Sequence, residues 1–301
     1  LADVLLKSTL LWAPMKPASF EYVTAESWDA AAASLAEHGD DALILAGGQS
    51  LVPVMNFRLA QPAVLVDVNV IPDSAYLQID GDSLRIGALT RHVRFEAPGI
   101  DGPLGRLLPR IAHHIAHLPI RMRGTFGGSL AHADPASEWC TLARTLDAVM
   151  IAQSVTGERR IAAADFFHSA LATDLADDEV LREVELPALG PDWRCGFAEF
   201  NRRAGDFAIV QSVAAIELHE GQIVSARIGV GGATETPQRS GAAEKALLGG
   251  APTSELFAEA AGAAADAIED FLTDQQANAD LRRDLVRVMV LRALEDAVSA
   301  G

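Results

Sequence analysis

A chain of 301 residues exceeds the usual size of one hydrophobic core, and half of its residues are hydrophobic with a mean hydropathy of +0.17, which predicts a globular protein of two packed domains over a disordered chain. The formal net charge of −17 repels polyanions and argues against nucleic acid or anionic membrane as a partner. The two cysteines, Cys140 and Cys195, are too few for a disulfide framework, a structural zinc site of four cysteines or a four-thiolate cluster, and point to a reducing, cytoplasmic compartment.

No run approaches the ~20 uninterrupted apolar residues of a membrane-spanning helix. Residues 1–14 precede Met15 and are interrupted by Asp3 and Lys7, so we read them as an extension, with Met15 the expected start. From Thr24, a candidate N-cap, Trp28, Ala31, Ala32 and Leu35 recur at helical spacing up to Gly39. Short buried strands are predicted at 42–46 and 64–68, and a hairpin at 76–87 around Asp80-Gly81-Asp82-Ser83. Leu104, Leu107, Leu108, Ile111 and Ile115 share a helical face on which Pro109 predicts a break or kink. Pro135 is expected to open a further helix. Beyond Pro187 the pattern becomes strands at 197–200, 209–218 and 223–230, with Glu220-Gly221 as a turn, then Ala-rich helices near 240–248, 253–272 and 279–298. A domain boundary near residue 190 follows.

Two glycine pairs organise the functional reading. Ala46-Gly47-Gly48-Gln49-Ser50 and Thr125-Phe126-Gly127-Gly128-Ser129 each end in a hydroxyl and lie about 80 residues apart. A diphosphate needs several backbone N–H donors converging on it, so a matched pair suggests a dinucleotide held between two lobes. An isolated Gly-Gly is more simply a strand-ending turn. Three histidines at 113, 114 and 117 have spacings that could present two imidazoles, but no third metal ligand is identifiable, and they read as surface or capping residues. His132 and Asp134 are assigned a structural role in the second loop. Arg202 and Arg203 read equally well as an anion patch or as solvated strand charges. No Gly-x-Ser-x-Gly elbow supports a hydrolase.

With these motifs in place, the sequence resembles a known family. Ala-Gly-Gly-Gln-Ser-Leu at 46–51, Arg-Gly-Thr-x-Gly-Gly-Ser-Leu-Ala-His-Ala-Asp-Pro at 123–135, Arg-Arg-x-Gly-Asp-Phe-Ala at 202–208 and Gly-Val-Gly-Gly-Ala-Thr-x-x-Pro-x-Arg at 229–239 look like the FAD-binding medium subunit of molybdenum hydroxylases, of the carbon monoxide dehydrogenase type. The resemblance spans about residues 15–300. It implies an α+β fold, with a two-lobed FAD-binding domain of the vanillyl-alcohol-oxidase type over residues 15–190 and a smaller C-terminal α+β domain over 191–301. It further implies that Ala46, Gly47, Gly48, Gln49, Ser50 and Leu51 form one FAD loop and Thr125, Phe126, Gly127, Gly128 and Ser129 the other. Glu138 stands where the family commonly has an aspartate, and is expected to contact the FAD. Asp206 and Phe207 match a stretch near the flavin ring. Phe207 replaces a frequent tyrosine and lacks its hydroxyl, and Met122 stands where an asparagine is frequent.

The implied function is FAD-carrying electron transfer. A small subunit with two [2Fe–2S] clusters and a large molybdopterin subunit are the expected partners, in a dimer of heterotrimers. Two alternatives stand beside it: a self-sufficient flavin oxidase or reductase, and a non-catalytic interaction module whose glycine loops are only turns.

Overall fold

The structure is a computed structural model that describes residues 16–299. The expected extension 1–14 and Met15 lie outside the described residues. Strands β1 (Glu21–Thr24), β2 (Ala42–Leu45) and β3 (Val64–Asp67) form a parallel sheet in the order β1-β3-β2, with Val64 opposite both Glu21 and Ala42. Parallel neighbours require crossovers. Helix α1 (Trp28–His38) connects β1 to β2, and the short helix α2 (Leu51–Asn56) follows β2. The α1 N-cap is Ser27, whose Oγ accepts from the Ala30 N–H at 3.1 Å, whereas the expected cap, Thr24, is the last residue of β1. Gly39 closes the helix at φ +53°, as its sequence position predicts. Ala31, Leu35, Val64, Val66 and Val68 build a small core for this first lobe.

The second lobe is an antiparallel sheet of β4 (Leu77–Asp80), β5 (Ser83–Gly87), β6 (Val149–Ser154), β7 (Gly157–Ala162) and β10 (Val180–Pro187), in the order β4-β5-β10-β6-β7. The predicted hairpin is β4–β5. Between β5 and β6 the chain forms α3 (Gly102–His114), α4 (Leu118–Arg121), α5 (Phe126–His132) and α6 (Glu138–Thr145); α7 (Ala163–Phe166) and the small ladder of β8 (Phe167–Ser169) with β9 (Ala172–Thr173) precede β10. Helix α3 runs unbroken through Pro109. An internal proline costs about 3 kcal/mol, but fully burying Leu107, Leu108 and Ile111 returns roughly 1.5–3 kcal/mol each, so packing wins over the local penalty. Helix α6 begins at Glu138, not at Pro135, because the Ser137 side chain caps the Cys140 N–H.

The third sheet contains β11 (Trp193–Phe200), β12 (Val210–His219), β13 (Gln222–Gly231) and β14 (Gln238–Arg239), antiparallel in chain order. Helices α8 (Gly241–Leu247), α9 (Ser254–Asp266) and α10 (Ala279–Ser299) follow, with α9 ending six residues earlier than its apolar pattern suggests. Because side chains alternate across a strand, Val213 and Ala215 of β12 enter the core shared with α3 and α6, while Ala214 and Ile216 enter the core under α10. One strand therefore joins two cores.

Against that sheet α10 lies very close. A Cβ on Gly196 would fall 2.0 Å from the Ala293 carbonyl oxygen and 2.5 Å from the Ala297 nitrogen, both main-chain atoms that cannot swing away. We predict that Gly196→Ala costs about 1–3 kcal/mol by overpacking, read as a lower midpoint of urea unfolding.

Candidate functional site

The two glycine loops meet. A Cβ on Gly47 would lie 2.6 Å from the Arg123 carbonyl oxygen and 2.7 Å from the Gly124 Cα, so the first loop packs backbone to backbone on the residues that lead into the second. Only glycine allows that approach. Gly48 follows at φ +69°, and the Gln49 amide donates back to the Gly47 carbonyl at 2.9 Å, curling the loop. Among the described residues, the N–H groups of Gly47, Gly48, Gln49 and Ser50 donate to no protein acceptor. Successive unbonded N–H groups in a tight turn form an anion-binding concavity.

The second loop is built differently from the first. Phe126 N–H bonds to the Thr90 carbonyl at 2.9 Å and Gly127 N–H to that of Ala88 at 2.9 Å, while Gly128 N–H is taken by Thr125 Oγ1 at 3.1 Å and Ser129 N–H by the Thr125 carbonyl at 3.1 Å. Its glycines therefore serve close packing, with a Gly127 Cβ only 2.6 Å from that of Ala88. What the loop offers a ligand is a surface of small residues and the Ser129 hydroxyl. Phe126 is fully buried against Trp139 and Phe95, with ring centroids 5.2 Å and 5.3 Å away, and anchors the loop without facing the cleft.

Between the lobes, Ala46, Gly127 and Gly128 line an apolar cleft of about 80 Å³ whose walls include Trp28, Val68 and Leu181. It is smaller than the roughly 300–1,000 Å³ of clefts that enclose a whole ligand, and so takes one segment of a long one. A polar strap crosses its rim. The Tyr22 hydroxyl donates to Asp67, the Asn69 N–H donates to the same carboxylate at 2.9 Å, and the Asn69 amide also donates to the Ala46 carbonyl at 2.8 Å. Arg91 completes it by donating to Asn69 Oδ1 at 2.6 Å and to the Arg123 carbonyl. Desolvation works against ionised Asp67, yet the bonds from Tyr22 and Asn69 hold its carboxyl below the usual carboxylate range. Burial, with Arg123 beside it, pulls Arg91 below its ordinary value. None of these four strap residues is marked in the sequence, because each bonds to a partner distant along the chain.

His92 is a further residue that sequence reasoning missed. It is buried beneath the 124–129 loop, its Nδ1 accepting from the Trp139 indole N–H at 3.0 Å and its Nε2 standing 3.5 Å from Ser129 Oγ. That bond places the proton of the neutral ring on Nε2, aimed at the Ser129 hydroxyl. Burial first, then Arg91 and Arg121, push the imidazole down to about 4.

Glu138 lies elsewhere. It is buried at the first turn of α6 and does not line the cleft; burial first, then the charge of Glu199, raise its carboxyl well above the ordinary range. Asp206 and Phe207 occupy an exposed segment between β11 and β12, where Gly205 packs on His117 and Ala116, just before α4. Phe207 is 64% exposed, so its ring is available to a ligand or partner. Asp134 accepts the Ala136 N–H at 2.8 Å, the structural role expected of it. No group of three or more His, Cys, Asp or Glu residues suited to a metal ion exists among the described residues.

Comparison with known proteins decides the family. Residues 18–189 match the model described as FAD binding domain in molybdopterin dehydrogenase, and residues 196–297 match the CO dehydrogenase flavoprotein C-terminal domain. The chain belongs to the FAD-binding medium subunits of the molybdenum hydroxylase family. The 6-hydroxypseudooxynicotine dehydrogenase complex subunit alpha of Paenarthrobacter nicotinovorans is 40% identical over 94% of this chain and 96% of its own length. Carbon monoxide dehydrogenase medium chain of Hydrogenophaga pseudoflava is 33% identical over 94% of this chain and 98% of its own. The solved carbon monoxide dehydrogenase from that organism, lacking the Mo-pyranopterin moiety of its cofactor, matches with a TM-score of 0.90 at 34% identity, covering 94% of this chain and 99% of that one. The α+β medium-subunit fold and its FAD-binding domain are thus established for this chain.

Two substitutions test the geometry of this FAD-binding domain. Gly47→Ala must separate the loops, so FAD affinity falls by at least about tenfold in equilibrium titration while far-ultraviolet circular dichroism stays native. For His92, the unfolded chain binds more protons between its ordinary value of 6.5 and about 4, so stability is full above that window and declines as pH falls through it. The loss is on the order of 3 kcal/mol, and thermal unfolding across that range should show His92→Asn, which retains an acceptor for Trp139, with a flatter acid limb.

Proposed function

We propose that this chain is the electron-transfer subunit of a multi-subunit molybdenum hydroxylase. It receives electrons from [2Fe–2S] clusters on a small partner and passes them to an external acceptor, while the organic substrate is oxidised on a large molybdopterin partner. The observation that carries this reading is the Gly47 contact with Arg123 and Gly124, which sets four unbonded N–H groups beside the second loop in a chain of this family. A dimer of heterotrimers in the cytoplasm is the assembly we assign. No helix among the described residues is long and apolar enough to cross a membrane.

The residues fit the cofactor at its most charged part. Ala46 to Leu51 would hold the diphosphate through main-chain N–H groups, and the small surface of Gly127 and Gly128 with the Ser129 hydroxyl would close over it. When bound, FAD supplies a carrier able to exchange electrons singly or in pairs. The chain's own work is then positional. The Tyr22–Asp67–Asn69–Arg91 strap fixes the spacing of the loops, and His92 holds Ser129 from below. Phe207, together with Asp206, is assigned to the ring end, where a phenyl group packs but donates no hydrogen bond. Glu138 we place behind the site, because its side chain is buried and is not part of the cleft lining.

Reconstitution tests this function directly. The isolated chain should take up FAD in a one-to-one ratio, seen by absorbance, and should oxidise no organic substrate until both partners are added. Substrate turnover by the chain alone would favour a self-sufficient flavoenzyme. A colourless chain that never takes up FAD would remove both readings.

A further inference from the structure

Arg91 is a cation set between the two glycine loops with no protein anion to meet it. Its main chain pairs with Thr125, the first residue of the second loop, while its side chain reaches back toward the first. One terminal nitrogen donates to the Arg123 carbonyl, the same oxygen that a Cβ on Gly47 would strike. The other donates to Asn69 Oδ1 at 2.6 Å, and the Asn69 amide carries the contact on to the carbonyls of Ala46 at 2.8 Å and Leu45 at 3.2 Å. One residue therefore stands between the guanidinium and the first loop.

Neutral acceptors alone do not account for a full charge in that place. Arg110, Arg121, Arg239 and Arg282, also drawn in from solvent, pair with Asp296, Glu96, Glu244 and Asp274 respectively. Arg91 is half-buried and makes no ion pair among the described residues; Asp67, the carboxylate of the strap, reaches it only through the Asn69 side chain. Glu179 lines the cleft but is already bound to Arg159. A guanidinium has five N–H donors, and Arg91 gives only two of its bonds to protein acceptors. Withdrawing such a cation from water without a counter-ion is costly, in keeping with the way burial pulls Arg91 below its ordinary value.

We propose that Arg91 is the counter-ion of the anion received by the first loop, and that its charge, fixed between the loops by its two bonds, selects a ligand bearing a diphosphate. The main-chain N–H groups supply direction and Arg91 supplies charge. A diphosphate oxygen there accepts from the remaining guanidinium N–H groups in the charge-assisted bonds that arginine forms with phosphates. Because Arg91 is bonded to the residues that join the lobes, occupancy of the anion site also strengthens their junction.

This deepens the proposed function, where the anion is the linker of FAD, yet it is tested on the flavin-free full chain with inorganic pyrophosphate. Pyrophosphate should raise the thermal unfolding midpoint of the native chain more than orthophosphate at the same concentration, and its affinity in isothermal titration should fall as ionic strength rises. Arg91→Gln, which can still donate to Asn69 and Arg123, should bind pyrophosphate about ten- to hundredfold more weakly, with a flatter salt dependence. Arg91→Lys keeps the charge without the planar fork and should retain most of both. A residue that served only to strap the loops would lose as much as lysine as it does as glutamine. Absence of pyrophosphate binding to the native chain, equal protection by orthophosphate, an affinity indifferent to salt, native affinity in Arg91→Gln, or equal losses in the two variants would overturn the proposal. The native measurements and Arg91→Lys decide it if Arg91→Gln fails to fold. FAD uptake that pyrophosphate does not displace would take the flavin away from the first loop and leave its anion site standing.

Discussion

The site depends on one close approach of main chain to main chain. Gly47 meets Arg123 and Gly124 at a separation that leaves no room for a Cβ, so the end of a parallel strand in one lobe is seated on the entry to a helix in the other. The two lobes have separate cores, one built on Val64 and Val66, the other on Leu107, Trp139 and Phe126. That contact brings the first loop's unbonded N–H groups against the small surface of the second, and α1 packs across the same junction onto β6 and β10. The strap through Asp67, Asn69 and Arg91 adds directional bonds at the same junction, so the cleft is set by both packing and hydrogen bonding.

The loops divide the labour that symmetry in the sequence suggested they share. The first keeps its N–H groups unbonded and open to a ligand. The second gives its own to Ala88, Thr90 and Thr125, which makes it rigid and lets His92 control its hydroxyl. An anion site needs donors on one side and fixed geometry on the other, and this asymmetry supplies both. The chain as a whole carries −17, and in the function proposed above it is the first loop's main-chain N–H dipoles that would hold the diphosphate.

Much of the fold was legible because periodicity and turn chemistry report burial. The hairpin around Gly81, the strands of the third sheet and the Ala-rich helices all lie close to their predicted places. Thr24 and Pro135 misled because each has the right chemistry for a helix start a few residues early, and only the real caps, Ser27 and Ser137, have the geometry to bond the next N–H groups. Pro109 misled in the opposite sense, since a local penalty was overridden by a buried apolar face. Gly47, Gly48, Gly127 and Gly128 announced themselves as a pair of motifs, whereas Tyr22, Asn69, Arg91 and His92 had no motif to mark them.

Sequence alone determined the composition of the elements, the family to which the motifs belong and the absence of enough thiolates to hold a cluster. Those properties reside in local spacing and residue type. Tertiary structure decided which donors are unbonded, which carboxyl is buried and which histidine supports the loop. Each of these depends on what a side chain or amide meets across the fold, and the partners of Gly47 and His92 are separated from them by dozens of residues.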